Sequence, residues 1–344
     1  MPEKTPLQTD NLLVAVDDGY AQVKVWTPNL RHLAPANTRA GSGALMSLDG
    51  KATSSSYMTD DTLYTASDLV VAEDSRLTGY HQSPLNRVAI HNALHQAGFV
   101  GQVKLSVGLP VGEFYRHGKK NETAAKEKRE SLLKAVTPAS GVAPIEIVGL
   151  RIYPQAIAAW ADHCLDENNV IKADMNAALA VVDVGGRTTD IAVMINQAVD
   201  HNRSGTILDG VLNIRDHVTK VIAEKFGIDD KQPARTLDDA VRTGKVQLWG
   251  KTHDISSELT LAARELLEKV TRYTTQQIGR GADLSAVVFV GGGAAFLKPL
   301  FDRFPNAVVH DDPEFANARG LWKFARNREI REAALAKLED TKVA

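Results

Sequence analysis

The 344-residue chain carries a single cysteine, Cys164, so no internal disulfide framework is open to it and no cysteine pair exists to hold zinc. A reducing compartment is the expectation. The chain has no run of eighteen apolar residues, and its opening segment, MPEKTPLQTDN, lacks the apolar stretch of a signal peptide. A cytoplasmic protein with no membrane partner follows as an expectation. Charge of one sign is not in excess either: 40 basic residues against 42 acidic give a net charge of −2. Composition therefore provides no global attraction toward nucleic acid, and any link to DNA is expected to be indirect.

Several reaction-class motifs are also missing. Gly250-Lys251-Thr252 looks like the end of a Walker A loop, but the first glycine would have to stand at position 245, which is Lys245. No G-x-G-x-x-G follows the first strand, and Gly291-Gly292-Gly293 lacks the later glycine of that motif, so a dinucleotide-binding fold is unsupported. No G-x-S-x-G offers an acyl-transfer nucleophile. His91 and His95 fall four apart on a predicted helix, yet no acidic neighbour completes a zinc-protease pattern, so packing or surface placement is the expectation.

What the chain does have is enough apolar content, 44%, to bury a sizeable core, and a length that suits two domains better than one. Leu12 to Val16 reads as a buried strand that meets Asp17-Asp18-Gly19 and resumes at Val23, Val25 and Trp26. Ala178 to Val182 repeats the script, with Asp183-Val184-Gly185-Gly186 as the turn and Ile191, Val193 and Ile195 after it. This weak internal repeat suggests two related lobes. Between them the pattern predicts a helix over 84–97, a strand over 103–109, a charged helix over 121–135, a strand over 145–152 and a helix opening near Pro154. The polar segment Asp162 to Met175 is the expected crossover. Helices over 211–226, 237–242 and 256–278 then precede a strand over 286–290, a short helix, a strand over 307–310 and a last helix from about Glu314. Alternating strands and helices imply α/β layers.

Three apolar strands thus run into acidic or glycine-rich turns, at Asp17-Asp18-Gly19, at Asp183 to Gly186, and at Gly291 to Gly293. Each turn taken alone reads equally well as a tight hairpin between core strands. Together they suit one polyphosphate, because ligands of α/β sheets sit beyond the carboxyl ends of strands and glycine lets backbone N–H groups approach phosphate oxygens. Asp17 and Asp183 would repel a polyphosphate unless a divalent cation lay between, so they imply Mg²⁺, held through ordered water. The hydroxyls of Thr188 and Thr189, with the backbone from Gly185 to Thr188, are candidate donors to the terminal phosphate, and Lys24 a candidate point charge.

These residues resemble the superfamily of actin, heat-shock chaperones and sugar kinases, and within it the ParM (StbA) family of plasmid-segregating proteins. AVDDGYAQVKV is similar to that family's first phosphate loop, VVDVGGRTTDIAV to its second, VVFVGGGAAFLKPLF to its adenosine motif, LSVGLPVGEFY to the segment before its charged helix, and ILDGVLNI to its hinge. The resemblance spans about Leu12 to Lys323. It implies a two-lobed actin-like fold, ribonuclease H-like and duplicated, with a nucleotide cleft between lobes formed by 1–163 plus 314–344 and by 164–313. It also implies an ATPase that uses Mg²⁺ and ATP, yields ADP, can accept GTP, assembles head to tail with itself, and acts on a centromere-like plasmid DNA site through a ParR-like adaptor.

Residue by residue, the resemblance extends nucleotide contact to Asp18, Gly19, Tyr20, Lys24, Gly185, Gly186, Arg187, Thr188, Thr189, Gly210, Gly291, Gly292, Gly293 and Ala294, and puts Lys119 to Lys128 near the adenine, with Lys126 or Lys128 as the contact. Gln155, in YPQAIAAW, stands where the ParM and MreB families carry glutamate and actin carries glutamine. It is expected to position the attacking water, with Asp17 and Asp183 as its catalytic companions; a helix-start glutamine of purely structural role is the alternative. A monomeric sugar or acetate kinase and a nonpolymerising actin-like assembly ATPase are the rival functions.

Overall fold

The computed structural model describes residues 7–8, 12–43, 55–69, 71–75, 79–294 and 298–343. Its first sheet is built on β1 (Leu12–Asp18), β2 (Gln22–Thr27) and β3 (Leu30–Pro35), an antiparallel meander. Helix α1 (Pro84–Gln96) opens on a Ser83 cap whose hydroxyl accepts from the Asn86 N–H, with proline at its first position, where no N–H is missed. It leads to β4 (Phe99–Leu109), which pairs in parallel with β1. Helix α2 (Glu122–Leu132) follows, capped by Asn121, and then β5 (Ile145–Pro154), parallel to the other side of β4. Val14, Ala15 and Val16 are fully buried, as the uninterrupted apolar run of a central strand requires.

Helix α3 (Ile157–Cys164) carries the chain to a second sheet, where β6 (Leu179–Val184) and β7 (Thr189–Ile195) form an antiparallel hairpin. Helix α4 (Leu212–Phe226), helix α5 (Ala234–Thr243), the hairpin of β8 (Lys245–Leu248) and β9 (Lys251–Asp254), and the long α6 (Ser256–Ile278) come next. The chain returns to the second sheet as β10 (Ala286–Val290), parallel to β6, and β11 (Ala307–Val309), parallel to β10. The two sheets repeat one plan: a central strand with an antiparallel hairpin partner on one side and a parallel partner on the other.

The last helix, α7 (Ala316–Val343), goes back to the first sheet, where Leu321 packs with Ala15 and Ala158 and its carbonyl accepts the Ser106 hydroxyl at 2.8 Å. It crosses α3 so closely that a Cβ on Gly320 would lie 1.7 Å from the Ala158 carbonyl oxygen, and glycine is the residue that permits this approach. The other face of α3, with Ile157, Trp160 and Ala161, packs on Val181, Ala192, Val288 and Val290 of the second sheet. The two helices therefore form the layer between the sheets.

Some sequence expectations shift. Pro154 closes β5 instead of opening a helix, because α3 begins only at Ile157. Asp162 belongs to α3 and not to a polar crossover: it is 1% exposed and accepts from Arg319 at 2.9 Å and Lys323 at 2.7 Å, with His310 3.0 Å away. Gly250-Lys251-Thr252 falls at the turn between β8 and β9 and on β9 itself. His91 is buried, and His95 stacks on Tyr57 at 5.7 Å. A small sheet over 38–40, 55–59, 62–66 and 137–138 beside α1 has no counterpart in the sequence reading.

Candidate functional site

Strand register brings the three turns together. Asp17 and Lys24 are cross-strand partners in the first hairpin, and the Lys24 ammonium donates to Asp17 Oδ2 at 3.1 Å. In the second sheet Asp183 pairs in register with Val290, so the turn after β10 starts beside the Asp183 carboxylate. A Cβ on Gly291, whose φ is +90°, would come within 2.3 Å of Asp183 Oδ1. The first and second turns touch each other: a Cβ on Gly186 would lie 2.7 Å from the Ala21 Cβ. Glycine at both positions is what allows loops from two sheets to close on one cavity.

Of the expected residues, Asp17, Gly19, Tyr20, Lys24, Gln155, Asp183, Gly185, Gly186, Thr188, Gly291, Gly292 and Gly293 line that cavity. Gln155 lies in the turn after β5, with its N–H bonded to the Leu109 carbonyl at 2.8 Å, and its Nε2 donates to Asp17 Oδ1 at 2.8 Å. This leaves Gln155 Oε1 as the side chain's acceptor. The next residue, Ala156, has φ +58° and ψ −43°, a strained conformation at the entrance to α3.

The remaining expected residues lie outside the lining of that cavity. Asp18 is fully buried beneath the first turn, with Lys128 bonded to its Oδ2 at 2.6 Å and His81 Nδ1 at 3.1 Å. Lys128 thus braces the turn from below, which removes it as an adenine contact. Lys126 projects from the exposed face of α2 toward Glu130, at 3.7 Å, and is outside the cavity lining. The Thr189 hydroxyl is turned away to the Asp209 carbonyl at 2.7 Å. Arg187 lies over the Tyr20 ring, 5.0 Å from its centroid. Gly210 backs the second turn, since the next two N–H groups donate to the Gly185 and Gly186 carbonyls. Ala294 is buried behind the third turn, which its N–H closes onto Gly291.

The structure adds residues that sequence reasoning does not find. Asn317 lines the cavity, donates to Asp183 Oδ2 at 2.7 Å and accepts the Ala156 N–H at 3.0 Å. Arg215, paired with Asp238, lines it from α4 and α5, and Glu314 from the start of the last helical segment. In the sequence these residues are ordinary polar positions of helices, with no motif around them. Asp190, next to the lining Thr188, accepts the Val111 N–H at 2.9 Å and the Thr206 hydroxyl. Val111 belongs to the segment after β4, so this carboxylate joins the first sheet's connections to the second hairpin.

The electrostatics are those of an acid-rich cleft. Burial, followed by the nearby Asp190 and Asp17, pushes Asp183 up to about 7. Burial also lifts Asp190 to about 6, against the hydrogen bonds it accepts. For Lys24 burial opposes the charge, but the Asp17 carboxylate outweighs it and holds the ammonium above its ordinary value. For Asp18 burial is likewise overcome, by Lys128 and His81, which bring it down to about 2. Among the described residues no group of three or more His, Cys, Asp or Glu is arranged to hold a metal directly. Two carboxylates whose oxygens already accept from Lys24, Gln155 and Asn317, in a site where one acid resists ionisation, suit a hydrated divalent cation bound through water.

Residues 12–164 match the family model for the N-terminal part of the plasmid segregation protein ParM, and residues 181–303 match that for the C-terminal part of the archaeal actin homologue MreB-like. No curated protein matches the chain. Among solved structures it is similar to an archaeal actin homologue at 20% identity, with a TM-score of 0.73 over 92% of this chain and 99% of that one. The same homologue in complex with ADP matches at 20% identity and a TM-score of 0.72, over 92% and 99% of the two chains. A 15-stranded ParM filament from Clostridium botulinum matches at 19% identity and 0.68, over 93% and 100%. At these identities the likeness establishes a shared fold.

Proposed function

We propose, on the premise that this chain is a ParM-like actin-like protein, that it is an ATPase which binds Mg-ATP between two lobes and assembles head to tail into filaments. The lobes are 1–163 with 314–344, and 164–313; the return of α7 onto the first sheet supports this division. The filaments would segregate plasmid DNA through a ParR-like adaptor on a centromere-like site, in the cytoplasm. The near-neutral charge of the chain suits that indirect link.

The observation that carries the reading is that Asp17 and Asp183, each near the end of a central strand of a different sheet, line one cavity with the three glycine-bearing turns. Bound magnesium would neutralise phosphate charge between the two carboxylates. Lys24 holds Asp17 in place, and Asn317 holds Asp183. Gln155, anchored to Asp17 through Nε2, presents Oε1 to orient a water toward the terminal phosphate. An amide accepts a hydrogen bond without taking the proton, so slow turnover is expected. Closure of the cleft on nucleotide would then favour the association-competent form.

Binding of a fluorescent ATP analogue with and without Mg²⁺, together with light scattering and electron micrographs after Mg-ATP is added, tests this. Tight Mg²⁺-dependent binding lost in Asp17→Ala and Asp183→Ala, and filaments without any acceptor substrate, are the expected results. Sugar-dependent ADP release with no polymer would replace the reading with that of a kinase.

A further inference from the structure

One imidazole lines the cavity among the described residues, that of His81. It sits in the short turn of Tyr80–Gln82 that precedes α1, 1% exposed, with its ring edge-on to Tyr20 at 4.7 Å. Nδ1 lies 3.1 Å from Asp18 Oδ2, and Nε2 has no hydrogen-bond partner among the described residues. Asp18 also accepts from the Lys128 ammonium at 2.6 Å, which favours its carboxylate form, and a carboxylate can only accept. The proton of the neutral ring therefore sits on Nδ1, and Nε2 is left as a bare acceptor in the cavity wall.

Hydrolysis of a phosphate ester releases a proton from the attacking water, and the other groups of the site are already engaged. Gln155 is an amide and takes no proton. Asp17 accepts from Lys24 and Gln155, and Asp183 from Asn317. Glu314 stands at the third turn, 3.5 Å from where a Cβ on Gly292 would lie. His81, in contrast, is joined to Gln155 by a short run of contacts. Lys128 donates both to Asp18 and, at 2.5 Å, to the Gly108 carbonyl, and a Cβ on Gly108 would come 2.6 Å from Gln155 Cγ. Imidazole and amide thus flank the ends of β1 and β4 that this one ammonium braces, and both open to the cavity.

We propose that His81 is the general base of the reaction, with Nε2 taking the proton of the water that Gln155 orients. The water oxygen bonds to the terminal phosphorus. The bond from that phosphorus to the oxygen of the departing ADP breaks, and its electron pair passes to ADP. The imidazolium, facing the Asp18 carboxylate through Nδ1, then gives the proton to solvent as phosphate leaves. A buried carboxylate that fixes the tautomer of an imidazole and stabilises its charged form is a recurring way to make such a base. The assignment rests on the ATPase reading above and names the proton acceptor of that same site.

Three variants test it. His81→Asn keeps a donor near Nδ1 for Asp18 and removes Nε2, whereas His81→Gln puts an amide near Nε2 that takes no proton. Both are expected to bind the fluorescent ATP analogue with the parent's affinity and to cleave Mg-ATP about a hundredfold more slowly in single turnover. In His81→Ala the vacated space opens to the cavity, and added imidazole is expected to restore cleavage at least about tenfold while leaving Gln155→Ala unchanged. Cleavage by His81→Asn or His81→Gln at the parent's rate would overturn the assignment and leave the ATPase reading intact. A slow His81→Ala that imidazole does not revive would also overturn it, making the residue a support of Asp18. Failure of the parent chain to bind or cleave Mg-ATP would instead remove the reading on which the assignment rests.

Discussion

Asn317 spans the cleft: its Nδ2 donates to Asp183 Oδ2 at 2.7 Å while its Oδ1 accepts the Ala156 N–H at 3.0 Å. One amide on α7 thus ties the acid of the second sheet to the backbone of the residue after Gln155. Replacing it by alanine leaves a buried N–H and a buried carboxylate oxygen without partners, each worth about 1–3 kcal/mol. Asn317→Ala is expected to lower the melting temperature and to slow phosphate release at least about tenfold, the latter because Gln155 loses its register. Thermal denaturation and single-turnover phosphate release check this; a variant that matches the parent in both would remove Asn317 from the mechanism.

Ala156 itself stores strain, with φ +58° in a non-glycine residue. Relief of such a conformation is worth about 1–3 kcal/mol, against roughly 0.5–1 kcal/mol for the greater unfolded-state freedom of glycine. Ala156→Gly should therefore be more stable in urea than the parent yet slower in hydrolysis, as the turn that aims Gln155 loosens. Parallel gains in stability and rate would contradict a positioning role for the strained turn.

On the proposed reading, substitutions at Gln155 would separate water orientation from proton transfer. Gln155→Ala should slow hydrolysis about a hundredfold with nucleotide affinity close to the parent's. Gln155→Glu puts a carboxylate where the amide now donates to Asp17 at 2.8 Å, so it should hydrolyse faster than the parent when Mg-ATP is bound and be less stable without nucleotide. Equal rates for all three proteins would leave Gln155 a structural residue.

The acids of the cleft set a pH dependence. Asp183 rises from 3.8 to about 7 and Asp190 from 3.8 to about 6, so the folded state without nucleotide holds more protons than the unfolded chain between these limits. The stability these groups contribute is complete below about pH 4 and is lost as the pH rises through 6 and 7. Asp18, lowered to about 2, works in the other direction and only below about pH 4. Melting temperatures of the nucleotide-free protein should fall from pH 5 to pH 8, and Asp183→Asn should flatten that fall. Added Mg-ADP should stabilise more at pH 8 than at pH 5.5, where a proton already occupies Asp183.

Lys128 is expected to matter for stability and not for adenine. Lys128→Met strands the fully buried Asp18 carboxylate with His81 alone, a cost of about 3–5 kcal/mol, and the double change with Asp18→Asn should recover most of it. Urea denaturation of the single and double variants measures the difference. A small loss in the single variant would show that water replaces the ammonium.

The parts of the fold that depend on local pattern are readable from the residues alone. Apolar runs ending in Asp17-Asp18-Gly19, Asp183 to Gly186 and Gly291 to Gly293 are legible because a buried strand and a tight turn leave a contiguous signature. The duplicated plan was legible for the same reason. Which polar groups face the cavity follows from how the helices pack on the two sheets. Nothing in the charged run of α2 says that Lys128 is buried against Asp18 while Lys126, two residues earlier, points outward, because helix phase becomes burial only once a sheet packs on one face. Asn317 stands 134 positions from Asp183 and becomes its partner only because α7 returns to lie against α3, and a contact made by that return leaves no trace in the residues around either end.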